Sequence, residues 1–303
     1  MGQESIDTMD QHRFGEVSVA RIPEREPMRE PMFKFFPEMP EEVVAANEHW
    51  LAPLHYHPES RSMLLHFHSW LVRTRHHTIL VDTCNGNHKP RPGLAMSDAL
   101  NSPFLENLRH AGVAPEDIDF VMCTHLHPDH VGWNTRLHDG RWVPTFPNAK
   151  YLMSRIEHDA CARLAEDGAK PQWARNIYQD SVLPVVEAGL ARLLEGSHAV
   201  DDNFTIHPAP GHTMGTCRAD LESNGDGAIF CGDILHTPLQ VEHWQIASRT
   251  CEDKPLSVKS RHALLAACAE RQALLLPMHF GPPYASYVKS SSTGFALDWN
   301  IAG

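Results

Sequence analysis

The stretch Cys123-Thr124-His125-Leu126-His127-Pro128-Asp129-His130-Val131-Gly132 constrains this chain more than any other, because three imidazoles and one carboxylate fall within six residues. The apolar run before it, residues 118–123, predicts a buried strand. The cluster therefore begins where a strand ends, the place where a rigid scaffold presents reactive groups. Imidazole and carboxylate are ligands for Zn²⁺ and similar borderline cations. On a helix His125 and His130 would face different ways. A tight loop turns His125 and His127 to one point, and Asp129 and His130 to a neighbouring one. The competing account is chance proximity in a chain with 22 histidines among 303 residues. The order H-x-H-x-D-H weighs against it.

Composition narrows the partner. A hydrophobic content of 42% suits one large α/β domain or two modest ones. A formal net charge of −12 argues against nucleic acid or an anionic membrane as the main partner, without by itself revealing the small-molecule substrate expected here. Cys84, Cys123, Cys161, Cys217, Cys231, Cys251 and Cys268 are scattered and never form C-x-x-C, so they read as reduced thiols of a cytoplasmic protein. Residues 1–7 show neither the basic nor the apolar part of a secretory signal. No apolar run approaches the roughly 18 residues of a membrane span.

Along the chain, residues 1–60 are rich in Pro, Glu and Met and predict an extended arm lying over a domain or over the partner in a homodimer. Residues 61–303 then form a single catalytic domain. Within the arm, His55 and His57 read as surface packing. A hairpin is expected at 63–74 and 78–82, a helix from Ser97 or Pro103 to about His110, and a strand at 150–154. Helical patterns follow at 154–167 and 171–188. Strands are expected at 204–207, 217–222 and 228–231, a helix at 258–269 and a last strand at 273–278.

Three more polar residues stand at strand ends: His212 in Gly211-His212-Thr213, Asp233 in Cys231-Gly232-Asp233, and His279 after Pro277-Met278. Strand ends at one sheet edge converge in space. In this order, LVDT at 80–83, THLHPDH at 124–130, APGHTMG at 209–215, CGD at 231–233 and MHF at 278–280 resemble the metallo-β-lactamase superfamily of metal-dependent hydrolases. The resemblance covers about residues 64–281 and implies an αββα sandwich, two mixed sheets flanked by helices. It implies two divalent metal ions, with Zn²⁺ the expected one. His125, His127 and His212 would hold the first, Asp129, His130 and His279 the second, and Asp233 would bridge them. All seven of the family's ligand positions are filled. Asp82 matches a family aspartate that supports the metal loop.

Two such ions bring a shared water toward ionisation at neutral pH and polarise a carbonyl or phosphoryl oxygen. Asp129 then serves as the catalytic proton carrier. The chain has no G-x-S-x-G elbow. Asp233 sets it apart from true β-lactamases. The run Asp233–Val241 is similar to the branch holding methyl parathion hydrolase and related lactonases and esterases. Lactonases of acyl-homoserine lactones carry a tyrosine three residues after the bridging aspartate; here His236 stands there, as a candidate donor to the carbonyl oxygen. Trp133 replaces a family glycine and reads either as a pocket wall or as a core aromatic. The expectation is a hydrolase of a small ester or lactone. A phosphotriesterase, a mononuclear iron dioxygenase on the same fold and a non-catalytic binding module are the alternatives. The complete second ligand set weighs against the last two.

Overall fold

The computed structural model describes residues 10–301, so the N-terminal residues 1–7 read for a signal lie outside it. Alternation along the strands decides the layering, since successive side chains point to opposite faces. Ile79 and Val81, Met122, and Leu152 point inward, where they meet Phe204, Ala219, Leu221, Phe230, Leu274 and Leu276 of a second sheet. Their neighbours Leu80, Val121, Tyr151 and Met153 point outward against Phe104, Leu108, Cys161, Ile177 and Val182. On the far side Ile229 and Leu275 pack against Leu264, Leu265 and Cys268 of the helix Lys254–Arg271. The result is the expected αββα sandwich.

The first sheet runs in the order Gln11–Phe14, Val17–Pro31, Ser62–Arg73, Thr78–Val81, Phe120–Met122, Lys150–Ser154, Ala191–Leu194, with Tyr56–His57 also paired to Ser62–Arg73. The second runs His198–Ala199, Phe204–Pro208, Cys217–Ser223, Asp226–Phe230, Leu274–Leu276. Thr78–Val81, Phe120–Met122, Lys150–Ser154 and Ala191–Leu194 are mutually parallel, as are Asp226–Phe230 and Leu274–Leu276. The carboxyl ends of Thr78–Val81, Phe120–Met122, Asp226–Phe230 and Leu274–Leu276, with that of Phe204–Pro208, lead into the residues singled out above. Among the described residues, no helix is long and apolar enough to cross a membrane.

The described part of the proline-rich stretch is built into the sheet and the packing beside it. Val17–Pro31 is a strand of the first sheet, hydrogen-bonded to Ser62–Arg73 with two register shifts, between Pro23 and Arg25 and between Arg25 and Met28. The chain then turns through Met32–Phe35 into the helix Glu41–Leu51, and Met32, Phe35, Phe36 and Val44 bury against Tyr56, Met63 and Phe67. The helix expected at 97–110 starts at Phe104, after Pro103. The pattern at 171–188 is divided into Gln172–Ile177, a wider turn at Tyr178–Val182, and Leu183–Glu187.

Candidate metal centre

Asp82 follows the strand Thr78–Val81 in a left-handed conformation, φ +56°. Aspartate tolerates this region better than most residues. The turn aims its buried carboxylate at the metal loop. Oδ1 accepts from the Thr124 N–H at 2.7 Å, and Oδ2 accepts from Thr124 Oγ1 at 2.7 Å and from His130 Nδ1 at 2.8 Å. Thr124 has then given its only hydroxyl proton to Asp82, so at 3.1 Å it accepts from His125 Nδ1. Gly232 lets the Asp233 turn close over this contact. A Cβ there would meet Thr124 Oγ1 at 2.6 Å, and its φ is +49°.

The same accounting fixes the other rings. His279 donates from Nδ1 to the His66 carbonyl at 2.8 Å. Cys251 gives its proton to Ser257 Oγ, so its sulfur, 3.9 Å from His212 Nδ1, is the acceptor for that ring. Outward N–H groups held in this way leave Nε2 of His125, His130, His212 and His279 as inward lone pairs, the arrangement metal-binding imidazoles use. His127 faces inward by Nδ1, 3.0 Å from His125 Nε2 and 2.9 Å from His212 Nε2. One proton can serve at most part of such a triangle; a cation satisfies all three nitrogens.

His125, His127, His212 and Asp233 thus form one cluster, and Asp129, His130 and His279 a second, with the candidate ligand atoms of each within 4.8 Å of one another. Asp233 stands between them. Its Oδ1 lies 3.0 Å from His279 Nε2 and 3.1 Å from His130 Nε2, while Oδ2 lies 3.3 Å from His212 Nε2 and 3.7 Å from His125 Nε2. Asp129 Oδ2 is 3.6 Å from His279 Nε2. Buried His130 Nε2 and Asp233 Oδ1 have no hydrogen-bond partner. A buried polar atom without a partner is costly, and a cation would satisfy both. The donor set fits borderline divalent ions.

Electrostatics separate the clusters. Burial pushes His125 and His212 well below the usual imidazole value, aided by the neighbouring imidazoles. Burial also opposes protonation of His130 and His279, but the carboxylates, Asp233 foremost, overcome it and raise both. Desolvation would raise Asp233; the surrounding imidazoles reverse this and hold it well below the carboxylate range.

The clusters floor a cleft of about 390 Å³ with apolar walls that include Phe35, Leu65, Leu94, Met96 and Trp173, and with Glu30 and Arg249 also lining it. His236 lies between floor and wall. Its Nε2 is 3.1 Å from Asp233 Oδ2, its ring stacks on His279 with centroids 5.9 Å apart, and Phe35 meets it edge-on at 5.0 Å. Trp133 belongs to the core rather than the cleft: it stacks on Phe104 and donates to Glu24 Oε1 at 3.0 Å. His55 is buried, not superficial. It stacks on Trp299 and accepts from the Gly281 N–H, while His57 bonds Ser60. Glu24, Phe35 and Glu157 went unremarked in the sequence, and Cys251 was read only as a reduced thiol, because nothing local marks a lone acid, aromatic or thiol whose partners are distant.

Residues 65–288 match the metallo-beta-lactamase superfamily. The chain is 28% identical over 208 residues to metallo-beta-lactamase domain-containing protein 1 of Xenopus laevis, an alignment spanning 68% of this chain and 67% of that protein. It is 23% identical over 176 residues to an N-acyl homoserine lactonase of a Bacillus species, covering 53% of this chain and 60% of the lactonase, less than two thirds of that protein's length. Among solved structures, AidC, a dizinc quorum-quenching lactonase, superposes over 97% of both chains with a TM-score of 0.75 at 20% identity. The hydrolase AbOPH superposes over 99% of this chain and 100% of its own with a TM-score of 0.77 at 21% identity. These two likenesses are of fold. With the greater part of its length matched and the fold in place, the chain belongs to the metallo-beta-lactamase superfamily.

Proposed function

We propose that this protein is a metal-dependent hydrolase that opens small lactone-type esters. The observation that carries the reading is Asp233, whose two oxygens address two separate imidazole clusters at the floor of an apolar cleft. In this reading His125 Nε2, His127 Nδ1 and His212 Nε2 hold one divalent cation, and Asp129, His130 Nε2 and His279 Nε2 hold a second. Zn²⁺ suits this donor set. When bound, such ions lower the pKa of water and polarise a carbonyl oxygen. Asp129 takes the proton released by the attacking water and returns it to the departing alkoxide. His236 Nε2–H steadies the Asp233 carboxylate. For it to donate to a substrate oxygen instead, the ring would have to leave that contact. The walls exclude water and receive the apolar part of the substrate. Lactonase relatives support the substrate class. In the same proposal the catalytic unit begins near residue 61, and the segment before it serves as the cleft's outer wall.

Elemental analysis of protein loaded with zinc or manganese should find about two ions per chain. Lactones, aryl esters and phosphotriesters assayed side by side should show the lactones turned over fastest. Fewer than one ion after loading would sink the hydrolase reading. Preferential turnover of phosphotriesters would move the substrate class.

A further inference from the structure

The helix Arg155–Glu166 opens with Ser154 as its N-cap, accepting from the Ile156 N–H at 3.2 Å, and Glu157 three residues later. Ser-x-x-Glu is the pattern of a reciprocal cap, in which the glutamate turns back to the backbone N–H of the serine. Here Glu157 bonds elsewhere. Its Oε2 accepts from the Leu126 N–H at 3.0 Å, and its Oε1 accepts from the Gly215 N–H at 3.0 Å. Leu126 lies between His125 and His127, and Gly215 lies three residues after His212. One buried carboxylate therefore ties together the two loops that supply the three imidazoles of the first cluster. The approach is close: a Cβ on Gly215 would meet Glu157 Cγ and its backbone nitrogen, each at 2.7 Å. His130 and His279 are held by other acceptors, the Asp82 carboxylate and the His66 carbonyl.

We propose that Glu157 is a positioning residue for the first cluster alone, setting the separation of the His125–His127 loop from the His212 loop. The inference rests on the two-cation reading above. Charge and shape both matter to it. Each oxygen faces an N–H, so an amide in place of the carboxylate would turn an NH₂ against a backbone donor. Asp82 performs a related task from the other side, through Thr124 and His130. Asp82 thus reaches both clusters, through Thr124 to His125 and directly to His130, whereas Glu157 reaches only the loops of the first.

The test uses the full chain, freed of metal and titrated with Co²⁺, whose visible spectrum reports ligand geometry. Glu157→Gln should bind one of its two ions about 10- to 100-fold more weakly, as loss of an outer-sphere partner does. Its spectrum should change and kcat should fall, with KM within about twofold. A double-mutant cycle assigns the effect. Combined with His212→Ala, the glutamine change should add little, whereas combined with His279→Ala it should keep its full cost. If the glutamine variant does not fold, Glu157→Asp keeps the charge, draws it back by one methylene, and should give the same weakening. Wild-type affinity and spectrum in the variant would overturn the proposal, as would equal weakening at both sites. Failure of the wild-type chain itself to take up two ions would instead overturn the functional reading.

Discussion

Asp233 is the residue on which most of the centre's geometry depends, because it alone touches both clusters through different oxygens. Asp233→Asn preserves its size and one oxygen but puts an NH₂ among inward-facing lone pairs and removes the only charge shared by the clusters. Turnover should fall by orders of magnitude, about 10³-fold or more, with partial recovery at high metal concentration or high pH. Normal turnover with two bound ions would mean that another carboxylate is the bridge. His236→Phe separates the support from the bridge. It removes the 3.1 Å contact to Asp233 Oδ2 and should cost about 10- to 100-fold in metal affinity or kcat. Chelator competition shows which of the two is lost. Five imidazoles and two carboxylates were legible in the sequence because each follows a strand or sits in a dense motif. The supports Glu24 and Cys251 were not, since their roles exist only once distant loops meet.

A short apolar run, Lys150–Ser154, and an alternating one, Cys217–Ser223, were legible almost to the residue. Val17–Pro31 was not. Pro23, Pro27 and Pro31 interrupt its donors, and Arg21, Glu24, Arg25 and Glu26 mask its period. The strand accommodates them through two register shifts, which prolines in sheets commonly require. One of those charges is structural. Glu24 is fully buried and accepts from the Asn85 and Gly86 N–H groups and from Trp133 Nε1, joining the strand to the loop after Asp82. Deleting residues 1–40 should therefore lower the melting temperature and broaden the transition, rather than trim a loose tail. Calorimetry of the truncated chain checks this, and an unchanged, sharp transition would show that the sheet closes without the strand.

Across the whole molecule, one buried ionic group outside the metal centre links stability to pH. Lys89 donates to Thr135 Oγ1 at 2.5 Å and to the Asp180 carbonyl at 2.7 Å, with Arg91 paired to the Asp180 carboxylate at 2.6 and 2.7 Å. Burial lowers the Lys89 amine to about 7, against the pull of Asp180. Between that value and the ordinary amine value, the unfolded chain binds the proton and the folded chain does not, so stability should rise with pH across this window. The slope is at most about 1.4 kcal/mol per pH unit for one proton. Urea denaturation at several pH values should show it, and Lys89→Met should flatten it; an equal slope in both proteins would refute the assignment. A different separation runs through the cleft. Every residue assigned to a cation falls within the stretch 65–288 shared with the superfamily, but Phe35 and Glu30 of the wall come from the segment before it. Part of substrate choice is therefore written outside the length of chain that carries reactivity, although Leu65, Leu94, Met96 and Trp173 of the wall lie within it. Lineages, or a combinatorial library, can rewrite the N-terminal wall to recruit new substrates while the reactive floor is inherited unchanged.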